Sequence, residues 1–141
     1  MPNVVFDAST IVGAALKRDS VPERALLLAR KSATICLSAA VEAEIREVLR
    51  RPKFHKHISD QTRERILDVV AAAALVVEPG EAVTDCRDRK DNIYLELALA
   101  ANATAIVSSD NDLLSLDPWR GIRIVSPSEY LQIFGRADES A

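Results

Sequence analysis

Asn3-Val4-Val5-Phe6-Asp7 is a short apolar run closed by a carboxylate. Thr104-Ala105-Ile106-Val107-Ser108-Ser109-Asp110 follows the same pattern near the other end of the chain. Such runs, apolar and β-branched at successive positions, read as strands buried on both faces of a parallel sheet. Working outward, Thr34-Ile35-Cys36-Leu37, Leu75-Val76-Val77 and Ile122-Arg123-Ile124-Val125 read as further short strands. Helical stretches separate them. Pro22 suits the first turn of a helix to about Arg30. Ser38 caps a helix to about Arg50, with Pro52 just beyond its end. Ser59 starts an alanine-rich helix through about Ala74, and Pro79-Gly80 closes the strand after it. Asn92 to Ala101 is apolar nearly all round and should be well covered. Ser126 and Glu129 stand at capping-box spacing, with Pro127 at the first helical position. Strands alternating with helices predict an α/β domain with a parallel sheet.

The chain has 141 residues, which is one domain's length. Residues 1–134 are expected to form that domain and residues 135–141 a loose tail. At 48% hydrophobic and 28% charged, the composition is globular and excludes a disordered chain. The longest apolar run, Val69 to Val77, is stopped by Glu78, far short of the roughly 18 residues a membrane span needs. Met1-Pro2-Asn3-Val4 has neither a basic stretch nor an apolar signal core, which predicts a cytoplasmic protein with no membrane partner. Cys36 and Cys86 are too few for a disulfide framework and form no CxxC pair, which suits a reducing compartment. Lys and Arg number 18 against 21 Asp and Glu, a net charge of −3. That is not the footprint of a simple duplex-DNA binder. A nuclease that holds metal ions, however, uses acidic residues for its site, and the metal inverts the local charge.

In open α/β sheets ligands bind beyond the carboxyl ends of the strands. Asp7 follows the first strand there, and Asp110 and Asp112 follow the fourth. If those strands are neighbours, their carboxylates share one crevice. Glu42, Glu44 and Glu47 on the helix after the second strand, and Asp88 and Asp91 before the apolar helix, are further sources. Gathered carboxylates repel and raise one another's pKa values. A hard divalent cation, Mg²⁺ or Mn²⁺, removes that conflict. Such a site carries out metal-assisted phosphodiester hydrolysis. Each residue also has an ordinary structural role. Asp7, Asp91 and Asp110 are suited to cap helices, and Asp112 to enter a short helix at Leu113-Leu114. On a helical wheel Val41, Ile45, Val48 and Leu49 form the buried arc. Glu42 and Glu44 flank its two edges and Glu47 lies farther out, so periodicity does not choose between Glu42 and Glu44.

Four segments together resemble the PIN-domain family. They are Val5-Phe6-Asp7-Ala8-Ser9-Thr10-Ile11-Val12, Ser38-Ala39-Ala40-Val41-Glu42-Ala43-Glu44-Ile45, Asp88-Arg89-Lys90-Asp91-Asn92-Ile93-Tyr94-Leu95-Glu96-Leu97-Ala98 and Ile106-Val107-Ser108-Ser109-Asp110-Asn111-Asp112-Leu113-Leu114. The resemblance runs from Val4 to about Phe134. Glu47-Val48-Leu49-Arg50-Arg51-Pro52-Lys53-Phe54 and Gly121-Ile122-Arg123-Ile124-Val125-Ser126-Pro127 are similar to the branch that supplies toxins of toxin–antitoxin pairs, the VapC-like ribonucleases. The resemblance implies a three-layer α/β/α domain around a five-stranded parallel sheet. It also implies a Mg²⁺- or Mn²⁺-dependent ribonuclease acting on RNA, a homodimer and an antitoxin partner. By position it makes Asp7, Glu44, Asp91 and Asp110 the catalytic, metal-holding carboxylates, with one or two metals. The serine-to-glutamate spacing of the second segment selects Glu44 over Glu42. Asp112 would be a supporting ligand and Ser108 a hydroxyl near the metal. Ser9 departs from the family, which often has Asn there, but keeps a hydroxyl.

Arg46, Arg50, Arg51, Lys53, His55, Lys56 and His57 form a local basic cluster. It suits an RNA backbone or, equally, a solvated helix end. A carboxylate site for a hard cation has no need of His55 or His57. Cys36 reads as a small core residue. Trp119 reads as turn packing, and aromatics at 4% argue against a base-stacking platform. Three other functions compete with the enzyme. A phosphoacceptor signalling domain would pair Asp7 with a second acid and place a lysine after the last strand, which Val125-Ser126-Pro127 lacks. The others are a non-catalytic PIN fold acting as a scaffold and a structure-specific DNA nuclease, for whose extra elements the chain leaves little room.

Overall fold

β1 (Asn3–Phe6), β2 (Thr34–Leu37), β3 (Ala74–Val76), β4 (Ala105–Val107) and β5 (Arg123–Val125) form one all-parallel sheet in the order β3-β2-β1-β4-β5. The computed structural model describes residues 1–72 and 74–140, the last five as backbone only. The strand order reverses between β1 and β4, so the crevice that open α/β sheets use lies there. Phe6 is in register with Val107, which brings the residues after them, Asp7 and Ser108, side by side. The Asp7 amide donates to the Val107 carbonyl at 3.1 Å and extends the ladder by one step.

Seven helices flank the sheet among the described residues: α1 (Ala8–Leu16), α2 (Val21–Ser32), α3 (Ala39–Leu49), α4 (Asp60–Ala72), α5 (Asn92–Ala100), α6 (Asn111–Leu114) and α7 (Pro127–Ser140). The architecture is the expected α/β/α sandwich. α5 lies across β1, β2 and β4, which accounts for its nearly uniform apolar surface. Its Leu95, Leu97 and Ala98 are fully buried. α2 packs on β2 and against α1 and α7. Gly13 lets α1 approach α2, because a Cβ there would stand 3.0 Å from the Pro22 ring. Val4, Val5, Ile106 and Val107 have no exposed surface, as strands buried on both faces require.

Local signals set most helix starts. The Ser20, Ser38 and Ser126 hydroxyls accept from the amides of Glu23, Val41 and Glu129. Glu129 completes the box by accepting from the Ser126 amide at 3.1 Å. α1 was not apparent from the sequence. Its Thr10-Ile11-Val12-Gly13 stretch has weak helix propensity, and burial of Ile11, Val12, Ala14 and Ala15 carries it instead. The helix expected through about Ala74 ends at Ala72 and Ala74 opens β3, so that strand lies one residue earlier than expected. Ala73 is outside the described residues. Residues 135–140, read as tail, continue the helical backbone of α7, and Ala141 is outside the described residues.

Tyr130 sits fully buried on α7, edge-on to Phe6 at 5.9 Å and stacked on Phe134 at 4.6 Å. Its hydroxyl is buried without a hydrogen-bond partner, and burial pushes the phenol up to about 12. A buried unsatisfied hydroxyl costs stability. Tyr130→Phe keeps both ring contacts and removes that cost. Its thermal midpoint is expected to equal or exceed the wild type's, by up to about 1 kcal/mol in stability. A lower midpoint would show that the hydroxyl is satisfied in solution.

Candidate active site

Asp7 is the N-cap of α1 and is 2% exposed. Its Oδ1 accepts from the Thr10 amide at 3.0 Å, and the Ser9 hydroxyl donates to both carboxylate oxygens at 2.9 Å. The Ser108 hydroxyl, from the end of β4, donates to Oδ2 at 2.5 Å. The capping role and the crevice role expected for Asp7 therefore coexist in one side chain. Burial raises its pKa, and the bonds from Ser108, Thr10 and Ser9 work against that rise. The Thr10, Ser9 and Ser108 donors make four contacts, two on each oxygen, so a further partner would have to share or displace one of them. Ser108 also accepts from the Asp110 amide at 2.9 Å, so one buried hydroxyl ties Asp7 to the start of α6.

Asp110 caps α6, accepting from the Asp112 amide at 2.8 Å. Asp91 holds the N-cap position of α5 but makes no capping bond. Its backbone is helical there (φ −84°, ψ −7°), not extended, so the side chain is not turned back onto the helix. It lies instead within hydrogen-bonding reach of Asp110. Its Oδ2 is buried without a partner. Burial first, then the Asp110 carboxyl and the charges of Asp88 and Asp7, push Asp91 up to about 7.

The crevice is lined by Asp7, Glu44, Asp91 and Asp110, by Tyr94, and by Arg51 and Lys53 at its rim. Glu44, Val48 and Arg51 follow one another at i, i+4 and i+7 and share the crevice face. The choice that periodicity left open is made by packing. Glu42 pairs with Arg46 at 3.1 Å and lines a separate small pocket with Ile45 and Leu67. Glu47 pairs with Arg51 at 3.0 Å. Asp88 caps the short 3₁₀ turn before α5, accepting from the Lys90 amide. Asp112 does not line the crevice and pairs with Arg87 at 2.9 Å. Among the described residues no three Asp, Glu, His or Cys side chains already form a coordination shell. Asp91 and Asp110 come within hydrogen-bonding reach of each other, while Asp7 is turned into its hydroxyls.

Tyr94 is a lining residue that sequence reasoning passed over. The Ala8 amide donates to its phenol oxygen at 3.0 Å, and burial with the charges of Asp7, Glu44 and Asp91 holds the phenol well above its usual range. Its position three residues after Asp91 on α5 was the available signal. Asn92 supports the same segment: its Oδ1 accepts from the Cys86 amide at 2.8 Å and its Nδ2 donates to the Arg89 carbonyl at 3.3 Å.

Fold and crevice together describe a doubly wound α/β domain with carboxylates gathered at the switch point of its sheet. The sequence model of the PIN domain matches residues 3–112. The chain belongs to the PIN domain family. It is 23% identical to the uncharacterized protein MJ1680 of Methanocaldococcus jannaschii, over 93% of this chain and 90% of that one. PAE2754 from Pyrobaculum aerophilum has a similar fold, with a TM-score of 0.62 and 16% identity over 96% of this chain and 90% of that one. So does VapBC2 from Rickettsia felis, solved bound to a DNA fragment from its promoter, with a TM-score of 0.56 and 16% identity over 86% of this chain and 96% of the matched chain. No helix among the described residues is long and apolar enough to cross a membrane.

Proposed function

We propose that this chain is a divalent-metal-dependent endoribonuclease and the toxin of a toxin–antitoxin pair. The observation that carries the reading is the Asp91 carboxyl, set within hydrogen-bonding reach of Asp110 with one buried oxygen unpartnered. Two carboxyls within that reach need a proton or a cation between them, and a hard cation suits an all-oxygen donor set. Asp7, Asp91, Asp110 and Glu44 would hold Mg²⁺ or Mn²⁺, which supplies activation of water and neutralisation of charge at the phosphate. Ser108 and Ser9 orient Asp7 through its hydrogen bonds. Glu44 orients the attacking water. The water oxygen bonds to phosphorus and releases a proton, the bond to the 3′ oxygen breaks and that oxygen takes up a proton, leaving a 3′-hydroxyl on one fragment and a 5′-phosphate on the other. The PIN family membership and the fold shared with VapBC2 support the toxin reading, with a homodimer and an antitoxin as partners.

The test is cleavage of a mixed-sequence single-stranded RNA and a matched DNA by purified protein, with Mg²⁺ or Mn²⁺ and with EDTA. Cleavage of RNA that needs the cation is expected. Preference for DNA would favour a DNA nuclease, and absence of cation binding by calorimetry would leave a non-catalytic fold. Glu44→Gln is expected to lower kcat by about 10²-fold, the scale of one lost polar group acting in the transition state. Glu42→Gln, at the separate pocket, is expected to stay within about threefold, as for a surface pair worth little. Equal losses in both variants would remove Glu44 from the site.

A further inference from the structure

Of the basic residues between Arg46 and His57, two reach the crevice: Arg51 and Lys53. Arg46 is held by Glu42 beside the other pocket, and the His55 ring contacts the Arg50 carbonyl at 3.2 Å. The two rim cations are placed in advance. Arg51 is anchored by Glu47 one helical turn earlier. The Lys53 ammonium stands 5.1 Å from the centre of the Phe54 ring, a cation–π contact that limits its freedom. Pro52 stands between them at the start of a 3₁₀ turn and restricts the backbone.

The crevice volume is about 320 Å³, near the lower bound of small-molecule sites. A crevice of that size takes only a short part of a strand, so neighbouring phosphates of a bound strand lie over its rim. With no cation bound, a polyanion approaching Asp7, Glu44, Asp91 and Asp110 meets repulsion; a bound cation offsets that only within the crevice, and the overall charge of −3 gives no general attraction. Local cations are needed to bring the strand in. We propose that Arg51 and Lys53 form the phosphate-guiding rim of this site, across which a single RNA strand leaves the carboxylate crevice. The inference rests on the nuclease reading of the crevice and adds the path of its substrate. Backbone contacts carry no sequence information, so the rim serves any strand of this kind.

The test uses Asp7→Asn protein, so that RNA is bound without being cut, and a short fluorescent single-stranded RNA read by anisotropy over a salt series. In that background Arg51→Gln and Lys53→Gln are each expected to weaken binding about tenfold and to reduce the slope of log K against log salt by about 0.7 to 1. Arg46→Gln and Lys56→Gln remove the same charge away from the crevice and are expected to stay within twofold. Glu47→Gln, which unties Arg51 without removing it, is expected not to weaken binding. In the cleaving protein the Arg51→Gln/Lys53→Gln pair raises KM and leaves kcat in place. Circular dichroism and thermal midpoints check that each variant is folded. Equal losses in all four cation variants would reduce the effect to bulk charge and overturn the rim, as would no loss in any, or no RNA binding at all. Rim-dependent binding without cleavage by the wild type would overturn the nuclease reading and keep the rim. Cleavage with rim-independent binding would do the reverse.

Discussion

Asp7→Asn is expected to lower RNA cleavage by about 10²- to 10³-fold or more, while the fold survives. Asparagine preserves the shape, the Oδ1 acceptor for the Thr10 amide and for Ser9, and removes the charge; its Nδ2 takes the place of the oxygen that accepts from Ser108, so that one bond is lost. Alanine is the poorer probe. It loses an N-cap worth about 1 kcal/mol and strands the buried Ser108 hydroxyl, whose other bond comes from the Asp110 amide. Its loss of activity would mix chemistry with displacement of Asp110. The measurement is single-turnover cleavage, with a thermal midpoint on the same sample. A folded Asp7→Asn protein that retains activity would sink the role of Asp7.

The second large effect belongs to the Asp91–Asp110 pair. In metal-free protein Asp91 titrates near about 7 because burial and Asp110 oppose its ionisation. In the unfolded chain it titrates near about 4. Between those values the folded form holds a proton that the unfolded form has released. Stability therefore falls as pH rises through this window and levels off above it. Asp7, also raised by burial, acts in the same direction. Asp91→Asn removes the Asp91 part. Its midpoint in EDTA is expected to exceed the wild type's at pH 8 and to converge with it toward pH 4. A bound cation relieves the same conflict. At a hundred times its Kd, Mn²⁺ is expected to stabilise the wild type by about 2.7 kcal/mol at pH 8, and Asp91→Asn far less. Thermal melts from pH 4.5 to 8.5, with EDTA and with Mn²⁺, measure both. An equal Mn²⁺ shift in both proteins would put the cation elsewhere, and a wild-type curve flat in pH would show the pair is not strained.

Other features of the site are arranged for support. Trp119 donates from its indole nitrogen to Asp85 at 2.8 Å, and Arg120 pairs with Glu81 at 2.7 Å. Arg87 pairs with Asp112, and the Val83 amide donates to Glu96 at 2.9 Å. These bonds pin the irregular stretch between β3 and α5, the segment that delivers Asp91 to the crevice. Loops that carry functional side chains need such anchoring, since they have no ladder of their own.

Much of this protein was decided locally. Serine and aspartate caps start α1, α2, α3, α6 and α7 through bonds within three residues, so short spacing in the chain was enough to mark most of them. The buried strands were legible because a parallel sheet covered on both faces needs continuous apolar runs. The placement of Asp7 and Asp110 at strand ends followed from the same runs, and the four segments together carried the family. What the chain order could not supply was the partner of each residue across the fold. Glu42 and Glu44 flank the same buried arc; periodicity could not separate them and the resemblance alone selected Glu44, whereas the packing of α3 gives the physical reason, turning Glu44 to the crevice and Glu42 to Arg46. Asp91 taken alone reads as a cap and by resemblance as a metal-holding carboxylate, and its helical backbone leaves its carboxyl within reach of Asp110. Arg51 and Lys53 were two among a basic run until the turn at Pro52 put them at the rim. Caps and strand runs depend on neighbours in sequence. The site depends on the β1–β4 register, which sets Asp7 beside a serine 101 residues away, and no local pattern encodes that distance.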